Sequence, residues 1–514
     1  MDRAPGRVGA VIRRVGPVLL PTALAAALVL HGLGARSLWV DEGTTFTTST
    51  QHGRLLWHWM FNEGGNMVAY YGLLHLVLGL FGDGILALRL PSALATVASV
   101  PLVFGLVGRL FDRTTAFLAA SFLAVCLPLV YWGQMARGYA PAICLLLAAT
   151  LAFVVAVDGG PRWTWVAFVV LSVLAVSTIL LTALAVASLF VSVVLLPRPD
   201  LPRRRLLLAA GAIGVGLLPL AVAVSAAGSY PIRWVPPLTS AESVYVWRFL
   251  TGGAVITVPL TSTSTLLLVL TLAAWVGALG LLALELRRGA RSRRSWALGL
   301  VVLSLVGPLG GIYLLSVLVH PVFQDRYLLP VIPAGSILLA VVVARFRPAW
   351  LVPVGAVLVI GLRSLQLPSS YGVPVEDWSG AAAWTLARTS SGDCIAFFQN
   401  AGYSPFDFTV SSAGPARSRN LPRPVLPATT WASHHLVLDP PTLAGPALAT
   451  VTAQCPTLWL VLTHVGGPVG PGATDFARQR QTQLVALLDG LDHGYRVTRT
   501  GEFRGIEVRR YTRS

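Results

Sequence analysis

The chain has 514 residues, 55% of them hydrophobic and only 11% charged, where a soluble domain carries about 25% charged residues, so an ordinary soluble protein is excluded. Its formal charge is +17, and every one of its 38 basic residues is arginine. Such a balance can mark a nucleic-acid binder, but these arginines fall in short links between apolar runs, where membrane orientation accounts for them and no nucleic-acid partner is expected.

Arg3, Arg7, Arg13 and Arg14 precede a first apolar run long enough to span a bilayer. The small residues Ala35 and Ser37 would permit cleavage behind it, but Trp39-Val40-Asp41-Glu42 follows at once, so a retained anchor is expected. Runs of spanning length predict eleven helices, at 15–35, 89–108, 114–132, 139–157, 163–179, 181–197, 206–227, 263–286, 296–319, 327–344 and 348–367. With a cytoplasmic N-terminus, the inner links carry Arg109 and Arg113, Arg162, Arg198 with Arg203 to Arg205, the arginines from Arg287 to Arg294, and Arg345 with Arg347. Every inner link is then basic, as the positive-inside rule requires. The division between 163–179 and 181–197 rests on little, because Ser177-Thr178 is barely a loop.

Tyr70 to Phe81 is apolar but too short to span, and counting it would put the arginine-rich links outside, so it reads as an interfacial helix. Gly53 to Phe61, with Trp57, Trp59 and Phe61, reads as a second. The first outer loop, 36–88, is therefore long and structured. Behind the membrane module of 1–367, residues 368–514 lose the spanning pattern. A helix from Asp377 to Arg388, strands at Cys394 to Gln399 and Leu458 to His464, a helix from Thr474 to Asp489, and two strands within Tyr495 to Thr512 around a turn near Gly501 predict a small α/β domain. The odd span count places it outside the cell membrane. Cys394 and Cys455 each precede a strand. If those strands are parallel neighbours the thiols meet at one sheet edge, and an exported compartment permits a disulfide. Cys126 and Cys144 lie within spans and read as small hydrophobes.

Polar groups gather on the outer face in five segments: Asp41 and Glu42; Asn66, Tyr70, Tyr71 and His75; Arg89; Gln134, Arg137 and Tyr139; and His320, Gln324, Asp325, Arg326 and Tyr327. Transfer at a lipid headgroup fits them. A carboxylate such as Asp41 can take a proton from a hydroxyl, and arginines can hold a phosphate leaving group by paired hydrogen bonds. Plainer roles stand beside this one. Asp41 and Glu42 suit a helix N-terminus, Arg89, Arg137 and Arg326 suit snorkelling at span ends, and His75 suits an interface. His434, His435 and His464 have no metal-ligand spacing, so no metal site is assigned, and a divalent ion has no support in the sequence.

Ser37-Leu38-Trp39-Val40-Asp41-Glu42 resembles the first-loop signature of GT-C glycosyltransferases of the protein O-mannosyltransferase (family 39) type, whose relatives include the lipid A aminoarabinose transferases. Further similarities follow in order over roughly 1–370: Asn66-Met67 with Tyr70-Tyr71 and His75, Ala87-Leu88-Arg89-Leu90-Pro91-Ser92, Gln134 with Ala136-Arg137 and Tyr139, and Arg326-Tyr327-Leu328-Leu329-Pro330. The resemblance implies an inverting transferase. Its donor is a sugar on a polyprenyl phosphate, presented at the outer leaflet to a glycan, lipid or protein acceptor. Asp41 matches the catalytic aspartate, with Glu42 beside it. Arg137 and Arg326 match the donor phosphate, with Arg89 in reserve. Asn66, Tyr70, Tyr71, His75, Gln134, Tyr139 and Tyr327 fall to substrate binding. Met135 stands where many relatives carry a second acid, and Met67-Val68 where many carry Pro-Pro.

Two other classes compete. A lipid-linked substrate transporter or flippase shares the span count, but acids within the spans and paired broken helices are lacking. A non-catalytic envelope scaffold is the second, favoured by the absent acid at Met135. On the transferase reading, reporter fusions at Gly160 and Gly289 should read cytoplasmic and one after Ser514 exported. A cytoplasmic C-terminus would reverse the side of every motif.

Overall fold

The structure is a computed structural model that describes residues 7–62, 64–197, 201–258, 260–288, 292–412, 421–431, 446–463 and 473–514. Arg3, Arg198, His434, His435 and His464 lie outside the described residues. Among the described residues, six helices are long and apolar enough to cross a membrane: Ile85–Leu110, Tyr139–Val157, Ser262–Arg287, Arg293–Leu318, Asp325–Val343 and Leu351–Ser370. Two bent pairs pass the same test, Arg113–Ala124 with Leu127–Gly133 at 56° and Arg203–Gly216 with Leu218–Ala227 at 47°, which makes up to eight. The remaining expected spans coincide with the shorter apolar helices Gly16–Leu30, Trp163–Thr178 and Thr182–Leu195. The protein is a multi-pass helical membrane protein, and its apolar exposed surface, from Leu80 and Phe81 to Val319 and Val357, has the character lipid contact requires.

Local chemistry sets the breaks. Asp112 caps the helix Arg113–Ala124 by accepting from the Thr115 amide, and Pro128 opens the second half of that bent pair. Ser292 and Ser295 form a reciprocal capping box at the start of Arg293–Leu318. The tight turn between Trp163–Thr178 and Thr182–Leu195 is closed by Thr182 Oγ1 donating to the Ile179 carbonyl and by the Asn66 side chain accepting from the Leu180 amide at 3.3 Å. The short outer-loop helices form at Gly53–Asn62 and Val68–Phe81. The helix start that Asp41 and Glu42 suit is present as Val40–Ser49, whereas Ser240–Leu250 is a helix that the apolar runs did not predict.

Beyond Leu367 the chain builds one mixed sheet from β1 (Cys394–Phe398), β2 (Arg423–Leu426), β3 (Thr457–Thr463), β4 (Tyr495–Phe503) and β5 (Ile506–Arg513), in the order β2-β1-β3-β5-β4. β1 runs parallel to both β2 and β3, while β3-β5 and β5-β4 are antiparallel. Alternating residues serve opposite faces. Ile395, Phe397, Trp459 and Val461 pack with the helices Trp378–Leu386 and Tyr403–Ser412, whereas Ala396, Leu458 and Leu460 pack with Asp475–Asp492. The hairpin turn lies at Arg504-Gly505, with Gly505 at φ 72°, and not near Gly501. Of the two turn positions only Gly505 takes the left-handed backbone that glycine favours, whereas Gly501 pairs with Val508 inside the strand and lies close under Trp384.

Cys394 and Cys455 are bonded, with Cα atoms 5.8 Å apart, because β1 and β3 are parallel neighbours whose entry points meet at one edge. Cys126 and Cys144 are free thiols in the helical part. Replacing Cys394 and Cys455 together by serine should lower the stability of the sheet by about 2–4 kcal/mol, the usual range for a native disulfide closing a loop of tens of residues. Denaturant unfolding followed by near-ultraviolet signals of the sheet tryptophans reads this out.

Candidate functional site: an aspartate between two arginines

Glu42 lies in the first turn of Val40–Ser49 and is fully buried, as is Arg89 in the first turn and a half of Ile85–Leu110. They form a two-pronged ion pair: Arg89 Nε and Nη2 each donate to a Glu42 carboxylate oxygen at 2.8 Å. The other Arg89 protons go to the backbone carbonyls of Leu33 at 2.9 Å, Arg36 at 3.0 Å and Ser37 at 3.3 Å. All five guanidinium donors are therefore spent. Glu42 in turn accepts from the Ala136 amide at 2.7 Å. This pair ties the loop after the first helix, the start of Ile85–Leu110 and the turn at 134–137 to one point. Arg89 is thus held as a corner post with no donor left over for a phosphate, and Glu42 lies buried as its counter-charge.

Two more fixings shape the same corner. Gln134, expected at the substrate, instead donates to the Val29 and His31 carbonyls at 3.1 and 2.7 Å and accepts from buried Arg36 at 3.1 Å. Tyr70, also expected there, is buried and bonded to Ser92 at 3.1 Å; Ser92 passes the bond to the Arg137 carbonyl at 3.0 Å. Both therefore set the backbone from which Arg137 projects.

Asp41 points away from Glu42 and retains 31% of its side-chain exposure. Arg137 Nη2 and Arg326 Nη1 both approach the same Asp41 oxygen, at 3.6 and 3.5 Å, and are 12% and 15% exposed. Arg137 is further bound to the Asp41 helix, since its Nη1 donates to the Asp41 carbonyl at 3.2 Å and to Thr45 Oγ1 at 3.0 Å. Arg326 instead lies among aromatic rings, 4.7 Å from the Trp234 centroid and 5.9 Å from that of Tyr327. Its neighbour Asp325 accepts from Tyr245 Oη at 3.1 Å. Burial, and after it the Asp325 carboxylate, hold the Tyr245 hydroxyl well above its ordinary range, so it stays a donor. Tyr139 is buried under Arg137, edge-on to Trp132.

The structure thus brings together Asp41, Arg137, Arg326, Tyr139 and Tyr327. Asn66 closes the helix turn at Leu180, and Tyr71 is buried in the core. His75 Nδ1 donates to the Ser49 carbonyl at 2.8 Å and its ring meets His52 edge-on, at the far end of the Asp41 helix. Thr45 and Trp234 were missed. Thr45 carried a readable signal, since it lies one helical turn beyond Asp41 at a helix start that the two acids suit. Trp234 lies in a proline-rich link with no helical or strand periodicity. Among the described residues no three His, Cys, Asp or Glu side chains gather as metal ligands would.

Comparison with known proteins gives a consistent class. Residues 67–226 match the family model described as dolichyl-phosphate-mannose-protein mannosyltransferase. The fold is similar to the crystal structure of ArnT from Cupriavidus metallidurans bound to undecaprenyl phosphate, at TM-score 0.59 and 14% identity over 96% of this chain and 98% of that one. The apo state of the same protein matches at TM-score 0.60 and 14% identity, over 97% and 98%. The Archaeoglobus fulgidus oligosaccharyltransferase in complex with Zn and sulfate is similar at TM-score 0.50 and 13% identity, over 87% of this chain and 68% of that one. No curated protein sequence is similar enough to count as a relative. The fold is thus shared with ArnT and with the archaeal oligosaccharyltransferase, and part of the helical region matches the mannosyltransferase family model.

Breaking the buried pair leaves an uncompensated charge without water. Arg89→Ala and Glu42→Ala should each destabilise the helical part by about 3–5 kcal/mol, seen as a large fall in melting temperature in detergent. Asp41→Ala, at a partly exposed position, removes the counter-charge of Arg137 and Arg326 and should lower the melting temperature less than either.

Proposed function

We propose that this protein is an inverting glycosyltransferase that moves a sugar from a polyprenyl phosphate to an acceptor hydroxyl at the outer face of the cell membrane. The observation that carries the reading is the half-exposed Asp41 carboxylate held within 3.6 Å of two guanidinium groups from distant parts of the chain. That combination offers a proton acceptor and phosphate-binding charge in one place, as transfer from a phosphate-linked donor requires. The ArnT likeness, in a structure bound to undecaprenyl phosphate, supports a lipid phosphate as the donor carrier.

In the proposed reaction the acceptor oxygen forms its bond to the anomeric carbon on the face opposite the phosphate. The bond from that carbon to the phosphate oxygen breaks, and its electron pair leaves on the polyprenyl phosphate. Asp41 takes the acceptor's proton. The two arginines divide their work. Arg137, bound to the Asp41 carbonyl and Thr45, orients the base; Arg326, which among the described residues meets the Asp41 carboxylate at 3.5 Å and lies amid ring faces, is the better placed to turn to the phosphate. Before the donor arrives, Asp41 serves as their shared counter-charge, which lowers the penalty of holding two cations at an apolar boundary. The lipid tail enters beside the helices, and the acceptor (a glycan, lipid or protein) comes from water. This reading divides the chain into a membrane module, 1–367, and an exported α/β domain, 368–514, with eleven crossings and a cytoplasmic N-terminus.

Purified protein incubated with a panel of labelled polyprenyl-phosphate sugars tests it, with release of free polyprenyl phosphate as the readout. Asp41→Asn should lower turnover by about 10²–10⁴-fold and leave donor binding near wild type, because the shape stays and the base goes. Arg326→Ala should weaken both donor binding and turnover, and Arg326→Lys should restore little of either, since the planar fork is lost. Full turnover by Asp41→Asn would end the assignment of the base. Vesicle uptake of substrate without any transfer would favour a transporter instead.

A further inference from the structure

The helix that carries Asp41 has no N-cap of its own. Trp39, at its cap position, makes no side-chain bond to the first turn, and the Val40 amide finds its acceptor outside the helix. A helix start leaves its first amides without partners inside the helix, so these groups must find acceptors elsewhere or face water. The acceptor for Val40 comes from 336 residues further along the chain: Glu376 Oε2 receives the Val40 amide at 2.9 Å. Glu376 is buried, and the same oxygen accepts from Trp378 Nε1 at 2.6 Å. Its backbone is fixed from the other side, since the next residue, Asp377, donates its amide to the Arg504 carbonyl in the β4–β5 turn at 2.9 Å. The carboxylate is thus held by the sheet unit and offered to the helix start, where a negative charge is also favoured by the helix dipole.

Two more contacts fall on the same face of the helix, spaced three residues apart. At Gly43 an added Cβ would lie 2.7 Å from Pro405 Cδ and 2.8 Å from Pro405 N, so only glycine lets the two backbones meet. At Phe46 the ring stands edge-on to Phe408, with centroids 4.9 Å apart. Ser37, just before the helix, accepts from the Ser379 amide at 3.0 Å. Residues 40, 43 and 46 therefore face the sheet unit, Glu42 faces Arg89, and Asp41 and Thr45 face Arg137. The helix is short, ten residues, and such a helix has little stability of its own in water. Its orientation is the sum of what grips it.

From this geometry we infer that Glu376 is a positioning residue for the transfer reaction, and that the C-terminal sheet unit works as a clasp that aims Asp41. The inference rests on the proposed role of Asp41 and assigns to the C-terminal unit a part in turnover. Glu376 touches no reacting atom. It sets the start of the helix, and a displacement of the base by about 1 Å can cost 10²-fold in rate.

The test uses the full-length protein with two readouts, amide hydrogen exchange and donor turnover. Glu376→Ala should speed exchange across Val40–Ser49 by about tenfold or more while β1 and β3 keep their protection, as expected for local loosening of one short helix. Turnover should fall by about tenfold to a hundredfold with the KM for donor within about twofold of wild type, since phosphate contacts are untouched. Glu376→Gln keeps an oxygen that accepts from Val40 and Trp378, and it should restore both readouts to near wild type. Gly43→Ala, which alters no polar group, should loosen the helix and slow turnover as Glu376→Ala does. Unchanged exchange in Val40–Ser49 of Glu376→Ala overturns the inference. So does loss of protection throughout the sheet that Glu376→Gln fails to rescue, because Glu376 would then serve the fold alone. If the wild-type protein transfers none of the sugars offered, the transferase reading fails by itself, and the exchange results still decide whether the clasp exists.

Discussion

Everything at the candidate site depends on the buried Arg89–Glu42 pair. An arginine taken from water into a helical membrane protein must recover five hydrogen bonds, and a glutamate must recover a counter-charge. Here each supplies what the other lacks, and the remaining arginine donors collect the carbonyls of Leu33, Arg36 and Ser37. The Ala136 amide completes the carboxylate. A pair this demanding has one geometry that satisfies it. Three pieces of chain far apart in sequence therefore meet in one register. Asp41, next to Glu42 on a short helix, is then turned the other way, toward solvent and toward Arg137.

The same logic of satisfied polar groups runs outward. Gln134 joins the end of the first helix to Arg36, Tyr70 and Ser92 pin the Arg137 backbone, and Asn66 closes the turn at Leu180. Each is a polar residue in an apolar setting, and each is held by backbone groups at a helix end or turn that the helices leave open. They build a frame in which Asp41 stays partly wet, with Arg137 fixed to its helix and Arg326 reaching it from a distant part of the chain. The charges that face the membrane boundary are thus kept near balance without burying the carboxylate completely.

The C-terminal sheet adds the last side of that frame. Its disulfide joins two parallel strands at their entry edge, and its helices Trp378–Leu386 and Tyr403–Ser412 cover the sheet face that also receives Val40. A rigid, covalently tied unit resting on a ten-residue helix restrains that helix more firmly than its own hydrogen bonds can.

How much of this was legible beforehand differs from residue to residue. Apolar runs and arginine links read as a polytopic helical protein because hydrocarbon selects on composition alone, without regard to what lies nearby. The ordered outer-face motifs pointed to Asp41, Arg137 and Arg326, and the strand patterns around Cys394 and Cys455 to a sheet. Composition could not separate Arg89 from Arg326, since both are arginines near the start of a span. Their difference is in partners: one meets a buried carboxylate and three carbonyls, the other a half-exposed carboxylate and two aromatic rings. Nor could it show that Gln134 and Tyr70 hold backbone, that Trp234 stands over Arg326, or that Glu376 caps the helix of Asp41. The sequence by itself determined the membrane class, the helical segments and which residue types were available for chemistry, because these follow from hydrophobicity and local propensity. Only the tertiary structure decided which charge is a post and which is free to act, because that depends on which distant groups satisfy each donor and acceptor once water is gone.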